Sequence, residues 1–327
     1  MIISKTPFRI SFVGGGSDLA AFYEEFGGAV LSTSINKYMY ISSHRFFEED
    51  KIRTKYSITE TVDNVEALKH PILKEALKLS GITGGIEISS IADVPSGTGM
   101  GSSSSFTVGV LHNLYAYTNR FVSKEELAQQ SCDIEIEKLG EPIGKQDQYA
   151  AAYGGLNVIE FHKDGGVSVL PIHLSKDTSV QLESDLLMFY VGNQRKASDI
   201  LSEQKKNTKQ ADKAKTLQEM VALVYELRNS LYAGNLENFG ALMHQNWLLK
   251  KALASGISNS AIDDIYTAGM KAGALGGKLL GAGGGGFMLF YCPKERQSNL
   301  RLALKDLKEF EFNFDKDGSK IIYYGQD

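Results

Sequence analysis

The stretch Val94–Phe106 reads VPSGTGMGSSSSF, with glycine at 97, 99 and 101 and serine at 102 to 105. Beyond it Phe106, Val110, Leu111, Leu114 and Tyr117 recur at helical spacing. A flexible turn thus feeds directly into a helix N-terminus, where unpaired N–H groups and the positive end of the helix dipole gather. Glycines let backbone N–H groups come close to a ligand, and serines add hydroxyl donors. The natural guest is an anion, above all a phosphate chain. A serine N-cap alone would explain an ordinary turn of this kind. Four small hydroxyls in succession exceed what a cap needs.

The Walker pattern G-x-x-x-x-G-K-[ST] is excluded, because Ser102 stands where lysine is required. Gly140 to Gln146 comes nearest to it elsewhere, one residue short between its glycines and ending on Gln146. A dinucleotide fingerprint would need glycine at Ser102. The pattern P-x-x-x-G-[LM]-G-S-S-[AS] does fit, from Pro95 through Ser104. In this the loop resembles the ATP loop of the GHMP kinases, the family of galactokinase, homoserine kinase, mevalonate kinase and phosphomevalonate kinase. Its usual leucine is Met100 here, a volume-conserving exchange. The resemblance implies that Pro95, Gly97, Gly99, Met100, Gly101, Ser102, Ser103 and Ser104 bind ATP.

Ile2–Val13 reads as a strand interrupted by Pro7, followed by Gly14–Gly16, Ser17 and Asp18. Arg9 lies within this apolar strand, where an unpaired charge would be costly. It needs an acidic partner or an anionic ligand, unless it snorkels from an edge. TPFRISFVGGGSD resembles the first motif of the family, in which a Lys or Arg lies near the catalytic acid. Galactokinases carry bulkier side chains before the final Asp, which binds sugar hydroxyls. The resemblance therefore implies a substrate site at Gly14, Gly15, Gly16, Ser17 and Asp18, roomier at one end and open to a second phosphate.

Gly28–Ser43 is expected to form a strand pair, Arg45–Lys55 a solvated hairpin or loop, Asp63–Leu79 a helix divided by Pro71, and Ile86–Ile91 a strand. Ser123-Lys-Glu-Glu126 is a capping box opening a helix whose small apolar face holds Ala128, Cys132, Ile136 and Leu139. Glu135 falls on or beside that face, and the phase of Ile134–Glu137 is ambiguous. Twelve residues later comes Asp147, in Gly-Lys-Gln-Asp-Gln-Tyr, a position that an N-cap would also explain. The segment resembles the G-x-x-D-Q of galactokinase. That likeness implies Asp147 as catalytic acid, Arg9 as its partner in catalysis, and Glu135 with Ser103 as the Mg²⁺-binding pair. So sparse a set suits Mg²⁺, which keeps phosphate and water ligands.

In the second half, Leu156–Phe161, Val167–Leu170, Leu186–Tyr190, Phe310–Phe314 and Lys320–Tyr324 read as strands. Leu217–Leu231, Leu236–Leu253 and Ser298–Leu307 read as helices, with Leu236, Phe239, Met243, Asn246 and Leu249 in one stripe. Lys205–Lys215 is a polar run expected as a loop or exposed helix, and Arg195 with Lys196 could receive a phosphate or stay solvated. Gly281-Ala-Gly283-Gly-Gly-Gly286 satisfies G-x-G-x-x-G but leads into the apolar strand Phe287–Tyr291 instead of a helix. After Lys278 it is instead similar to the third family motif, which closes over substrate and phosphates and implies Gly283 and Gly284 in substrate binding.

A chain of 327 residues with 43% hydrophobic and 23% charged residues suits one large or two ordinary globular domains. Net charge −4 gives no global field toward nucleic acid or an acidic membrane. Two cysteines are too few for a disulfide framework, and six histidines form no H-x-x-x-H pair, so no zinc site is expected. The start MIISKTPFRI is unlike a signal peptide, and no apolar run approaches a membrane span, which points to the cytoplasm.

The family resemblance implies an α+β fold: an N-terminal domain like domain 2 of ribosomal protein S5 over residues 1–180 and a ferredoxin-like C-terminal domain over 181–327. It also implies ATP and Mg²⁺ as cofactors and a small sugar, expected to be a sugar phosphate, as partner. Nucleic acid and membrane are not expected partners, and a homodimer stays open. PFRISFVGGGSD and VPSGTGMGSSSSF most resemble the heptose 7-phosphate kinases of the family, which phosphorylate the anomeric C1 hydroxyl. L-fucokinase-like domains are the runner-up, and a sugar- and ATP-binding regulator without turnover is the alternative of another class.

Overall fold

The computed structural model describes residues 1–192, 197–208 and 210–325. Arg195 and Lys196 lie outside the described residues.

The larger sheet is built on β1 (Ile2–Val13) and β2 (Gly28–Arg45), paired antiparallel along most of their length. Gly28–Ser43, expected as two strands, is thus one, and it continues to Arg45. Its first eight residues are all buried, and at Asn36 and Lys37 the pairing with β1 shifts register without ending the strand. β3 (Ile52–Lys55), β4 (Thr59–Val62) and β5 (Ile86–Ala92) extend the sheet beyond β2, β3 and β5 running parallel. The charged stretch expected as a hairpin or loop therefore contributes one strand. β6 (Leu156–Phe161) pairs with the start of β2, and β7 (Val167–Pro171) with β6.

α1 (Ala20–Phe26) follows the first glycine turn. The expected helix over Asp63–Leu79 is a 3-10 turn, Val65–Ala67, and then α2 (Pro71–Ser80), with the proline at its first position, where no N–H is needed. α3 (Ser102–Tyr117) crosses β1 and β2. It lies close because residue 109 is glycine: a Cβ there would sit 2.9 Å from Thr6 Oγ1. Asn113 Nδ2 on the same helix donates to the carbonyls of Ile2 and Ile41, joining the helix to both strands. α4 (Lys124–Cys132), capped by Ser123, and α5 (Gln146–Tyr153) pack alongside.

After α6 (Lys176–Ser184) the chain builds a second, antiparallel sheet. Its order is β11 (Lys308–Glu309), β8 (Leu186–Gly192), β10 (Gly286–Tyr291), β9 (Gly276–Leu279). Helices α7 (Ala197–Asn207), α8 (Ala211–Tyr232), α9 (Leu236–Lys251), α10 (Ser260–Lys271) and α11 (Gln297–Ala303) complete this half. Within the polar run, residues 205–207 end α7 and residues 211–215 begin α8.

Of the expected strand Phe310–Phe314 only Phe314 is in a strand: β11 ends before it at Glu309, and β12 is Phe314–Asp315. β12 pairs with β2, and β13 (Lys320–Tyr324) with β1. Apart from these last strands, which return to the first sheet, the strands before α6 form the larger sheet and those after it the second.

Phe12 meets Phe239 of α9 edge to face at 5.2 Å, and Val224 of α8 joins the same core. The large sheet is thereby covered on one face by α3 and its neighbours and on the other by helices of the C-terminal half. Among the described residues, no helix is long and apolar enough to cross a membrane.

Candidate active site

A cleft of about 610 Å³ opens where the two halves meet. Its wall draws on β1, the turn after it, the loop before α3, the segment between α4 and α5, α9, and the loop between β9 and β10.

At its centre is Arg9, only 4% exposed. Nε and Nη2 donate to the two carboxylate oxygens of Asp147 at 2.7 and 2.8 Å, and Nη1 to the carbonyl of Gly99 at 2.6 Å. This planar fork satisfies a charge that the apolar strand could not hold alone. It also fixes Asp147, in the first turn of α5, against the loop before α3. Gly101 closes that contact: it has φ +73°, and a Cβ on it would stand 3.2 Å from Asp147 Oδ2.

The loop places Ser96, Gly97, Gly99, Gly101 and Ser102 to Ser104 on the cleft, at the N-terminus of α3. Pro95 and Met100 do not line it. Pro95 is exposed and its carbonyl accepts from Thr98 Oγ1, while the Met100 side chain is buried in the core. The second glycine run packs backbone to backbone on this loop: a Cβ on Gly281 would lie 2.4 Å from Gly99 Cα, and one on Gly286 2.5 Å from the carbonyl of Thr98. Gly283 reaches the cleft, but Gly284 does not: its N–H is held by the carbonyl of Ile257.

Glu135 is 1% exposed. α4 runs on into a π-helical turn, Asp133–Lys138, and this wider turn buries Ile134 and Glu135 together. Glu135 accepts from Ser103 Oγ at 2.7 Å and Gln148 Nε2 at 2.8 Å. Burial raises its pKa, outweighing the hydrogen bonds from Ser103, Gln148 and Ser104 that lower it. A hard carboxylate and a hydroxyl side by side at a phosphate-type loop are the donor set that Mg²⁺ takes when phosphates and water complete its shell. Gln148 Oε1 is buried without a partner. The residues present fit that ion.

At the other end is Asp18, buried, accepting the N–H of Gly16 at 2.9 Å and, at longer range, that of Gln146. Burial raises its pKa, and the charge of Asp147 adds to the shift. A Cβ on Gly144 would fall 2.1 Å from Asp18 Oδ2, so glycine there makes room for the carboxylate. Of the first glycine run only Gly16 faces the cleft. The N–H of Gly14 is spent on Asn246 Oδ1 and the carbonyl of Gly15 on Lys250 Nζ. Ser17 points inward, its hydroxyl bonding Gly14 and Ala29, and so braces the turn instead of facing a ligand.

Sequence reasoning missed Lys250, Gln146, Gln148 and Gln204. The signal for Lys250 was present: the α9 stripe through Met243 and Asn246 continues to Leu249 at i+3 and equally to Lys250 at i+4, since both spacings keep one helix face. Lys278, noted only as preceding the glycine loop, is buried with Nζ on the carbonyl of Ser11, and burial holds its pKa well below the usual lysine range.

Such a cleft can hold a phosphate chain at one end and a hydroxyl compound at the other, with a fixed carboxylate between them. That is the site of a phosphoryl-transfer enzyme on a mixed helix-and-sheet fold. The model for the GHMP kinases N terminal domain matches residues 65–155, and that for the GHMP kinases C terminal matches 224–308. A D-glycero-alpha-D-manno-heptose 7-phosphate kinase from Campylobacter jejuni is 30% identical, over 98% of this chain and 98% of its own. Among solved structures, a D-glycero-D-manno-heptose 1-phosphate kinase from Bacteroides thetaiotaomicron superposes with a TM-score of 0.82 over 100% of both chains at 22% identity. Galactokinase of Lactococcus lactis in complex with galactose does so with 0.77 over 98% of this chain and 94% of its own, at 20% identity. The chain belongs to the GHMP kinases. It is an ATP-dependent phosphotransferase, a sugar kinase.

Proposed function

We propose that the chain transfers the γ-phosphoryl group of ATP to the anomeric C1 hydroxyl of D-glycero-D-manno-heptose 7-phosphate, giving the 1,7-bisphosphate and ADP. The observation that carries the reaction is the Arg9–Asp147 fork, which stands between the Gly99–Ser104 loop and the Asp18 end of the cleft. The acceptor rests on likeness to the Campylobacter jejuni heptose 7-phosphate kinase over nearly the whole chain.

Backbone N–H groups of the loop and of the first turn of α3 hold the β- and γ-phosphates. Ser103 and Glu135 would hold Mg²⁺, which would neutralise charge on those phosphates. Asp147 accepts the proton of the acceptor hydroxyl as its oxygen bonds to phosphorus and the bond from phosphorus to the β-bridging oxygen breaks. Arg9 keeps that carboxylate in place and offsets charge spread over the transferring oxygens. Positioning and electrostatics supply most of such catalysis. Both cysteines are free and buried, in keeping with the reducing cytoplasm we assign to the reaction.

The test is ADP release with ATP and Mg²⁺ over D-glycero-D-manno-heptose 7-phosphate, L-fucose, galactose and mannose, with NMR of the product. Preference for the heptose phosphate, with new phosphorus coupling at C1, is expected. Preference for an unphosphorylated sugar, or phosphorus elsewhere, overturns the acceptor assignment.

A further inference from the structure

Lys250 stands near the C-terminal end of α9, is 5% exposed, and lines the Asp18 end of the cleft. An ammonium carries three donors. Among the described residues Lys250 Nζ has one hydrogen-bond acceptor, the carbonyl of Gly15 at 3.1 Å. Asp18 acts on it electrostatically, yet the two make no direct ion pair. Of the other cations here, Arg9 is spent on Asp147 and Gly99, and Lys278, which also has a single acceptor in the carbonyl of Ser11, does not line the cleft.

More unmatched polarity surrounds this point. Gln146 Oε1, Ser11 Oγ and both amide atoms of Gln204 are buried without a partner. Gln204 reaches here because residue 16 is glycine, whose Cβ would fall 2.0 Å from Gln204 Nε2. Buried polar groups left open in this way are costly unless a ligand closes them.

We infer that Lys250 is a substrate-binding residue that, together with Asp18, clamps hydroxyls of the acceptor next to the one that reacts. The inference deepens the kinase reading of the same cleft and rests on it. The chemistry selects a hydroxyl group. Lys250 needs an acceptor and Asp18 a donor, and a sugar hydroxyl is both. A phosphate would satisfy Lys250 but would stand beside the carboxylates of Asp18 and Asp147. A phosphate carried by the acceptor therefore lies away from this pair.

Burial pushes the Lys250 ammonium down to about 8, against the opposing charge of Asp18. The charged groups that face it are Asp18 from the first turn, Arg9 from β1, Asp147 from α5 and Lys278 from β9. The protonated form is present below that pH and lost above it, so acceptor binding weakens as pH rises through it.

The test is steady-state kinetics of the full chain with Lys250→Met and Lys250→Arg, on whichever acceptor the wild type prefers. A wrong heptose assignment then shows in the wild-type panel and leaves the ratio of variant to wild type readable. Lys250→Met should raise the acceptor KM about tenfold or more, the weight of a charge-assisted hydrogen bond, with the ATP KM within about twofold. Wild type should lose acceptor affinity above pH about 8, and Lys250→Arg, whose guanidinium stays charged, should not. If melting reveals that Lys250→Met does not fold, the pH profile of Lys250→Arg decides alone. A wild-type acceptor KM in folded Lys250→Met, or an unchanged pH profile in Lys250→Arg, overturns the inference.

Discussion

Glu135 illustrates how a single residue can be held at some cost to the fold. Its carboxylate is almost wholly out of water and is met by neutral donors, Ser103 and Gln148, not by a cation. Burial raises its pKa, so ionising it takes stability away as pH rises through that value. Glu135→Gln removes the charge at constant shape, and Gln148 can turn its unpartnered Oε1 to receive the new amide. Thermal unfolding should place the variant at or above wild type at neutral pH, the gap closing as pH falls and the wild-type carboxyl protonates. In the proposed reading the same variant needs more Mg²⁺, so a titration of activity against Mg²⁺ should shift upward. An unchanged titration would make Glu135 a structural residue only. Arg9 was legible as a charge in need of a partner. That its partner is Asp147 could not be derived from spacing, since the two are 138 residues apart. Ser17 misled for the opposite reason. A hydroxyl in a glycine-rich turn looks available, but the turn itself consumes it.

Among the elements, the strands and helices with a clear period were legible, as in β1 and α3. The failures have physical causes. The phase around Glu135 was ambiguous because the segment is a π-helical turn, and a 3.6-residue period cannot describe it. β2 was divided in error because its central residues are polar while its pairing to β1 continues with only shifts in register. The glycine loop after β9 was legible as something other than a dinucleotide fold, since a strand follows it. Its reason for glycine is contact with the loop before α3. Gly281 has φ +78°, and its Cβ would overlap Gly99 Cα. Gly281→Ala should destabilise the protein by about 1–3 kcal/mol, as expected for a side chain forced into that backbone region. It should also weaken ATP binding by displacing Gly99 and its contact with Arg9. Calorimetry of unfolding and of ATP binding checks both. Wild-type values in each would show that the two loops are independent.

At the scale of the whole molecule, the cleft exists because distant parts of the chain close on one another. β12 and β13 bring the C-terminal end back to β2 and β1, and α8 and α9 cover the face of the large sheet opposite α3. The three glycine-rich motifs could be read from the sequence as parts of one site, because each has a local pattern. The contribution of α9 could not, because Lys250 belongs to an ordinary amphipathic stripe until the fold sets it beside Asp18. In the proposed reaction Arg9 and Asp147 form the reacting centre between the two ends. Asp147→Asn keeps size and shape but removes the proton acceptor. The most direct measurement is its turnover beside its ATP affinity, on protein with an intact melting transition. With Asp147 as the base, kcat should fall about a hundredfold or more, the usual weight of a positioned base, while the dissociation constant for ATP stays within about twofold. Turnover close to wild type would contradict that role.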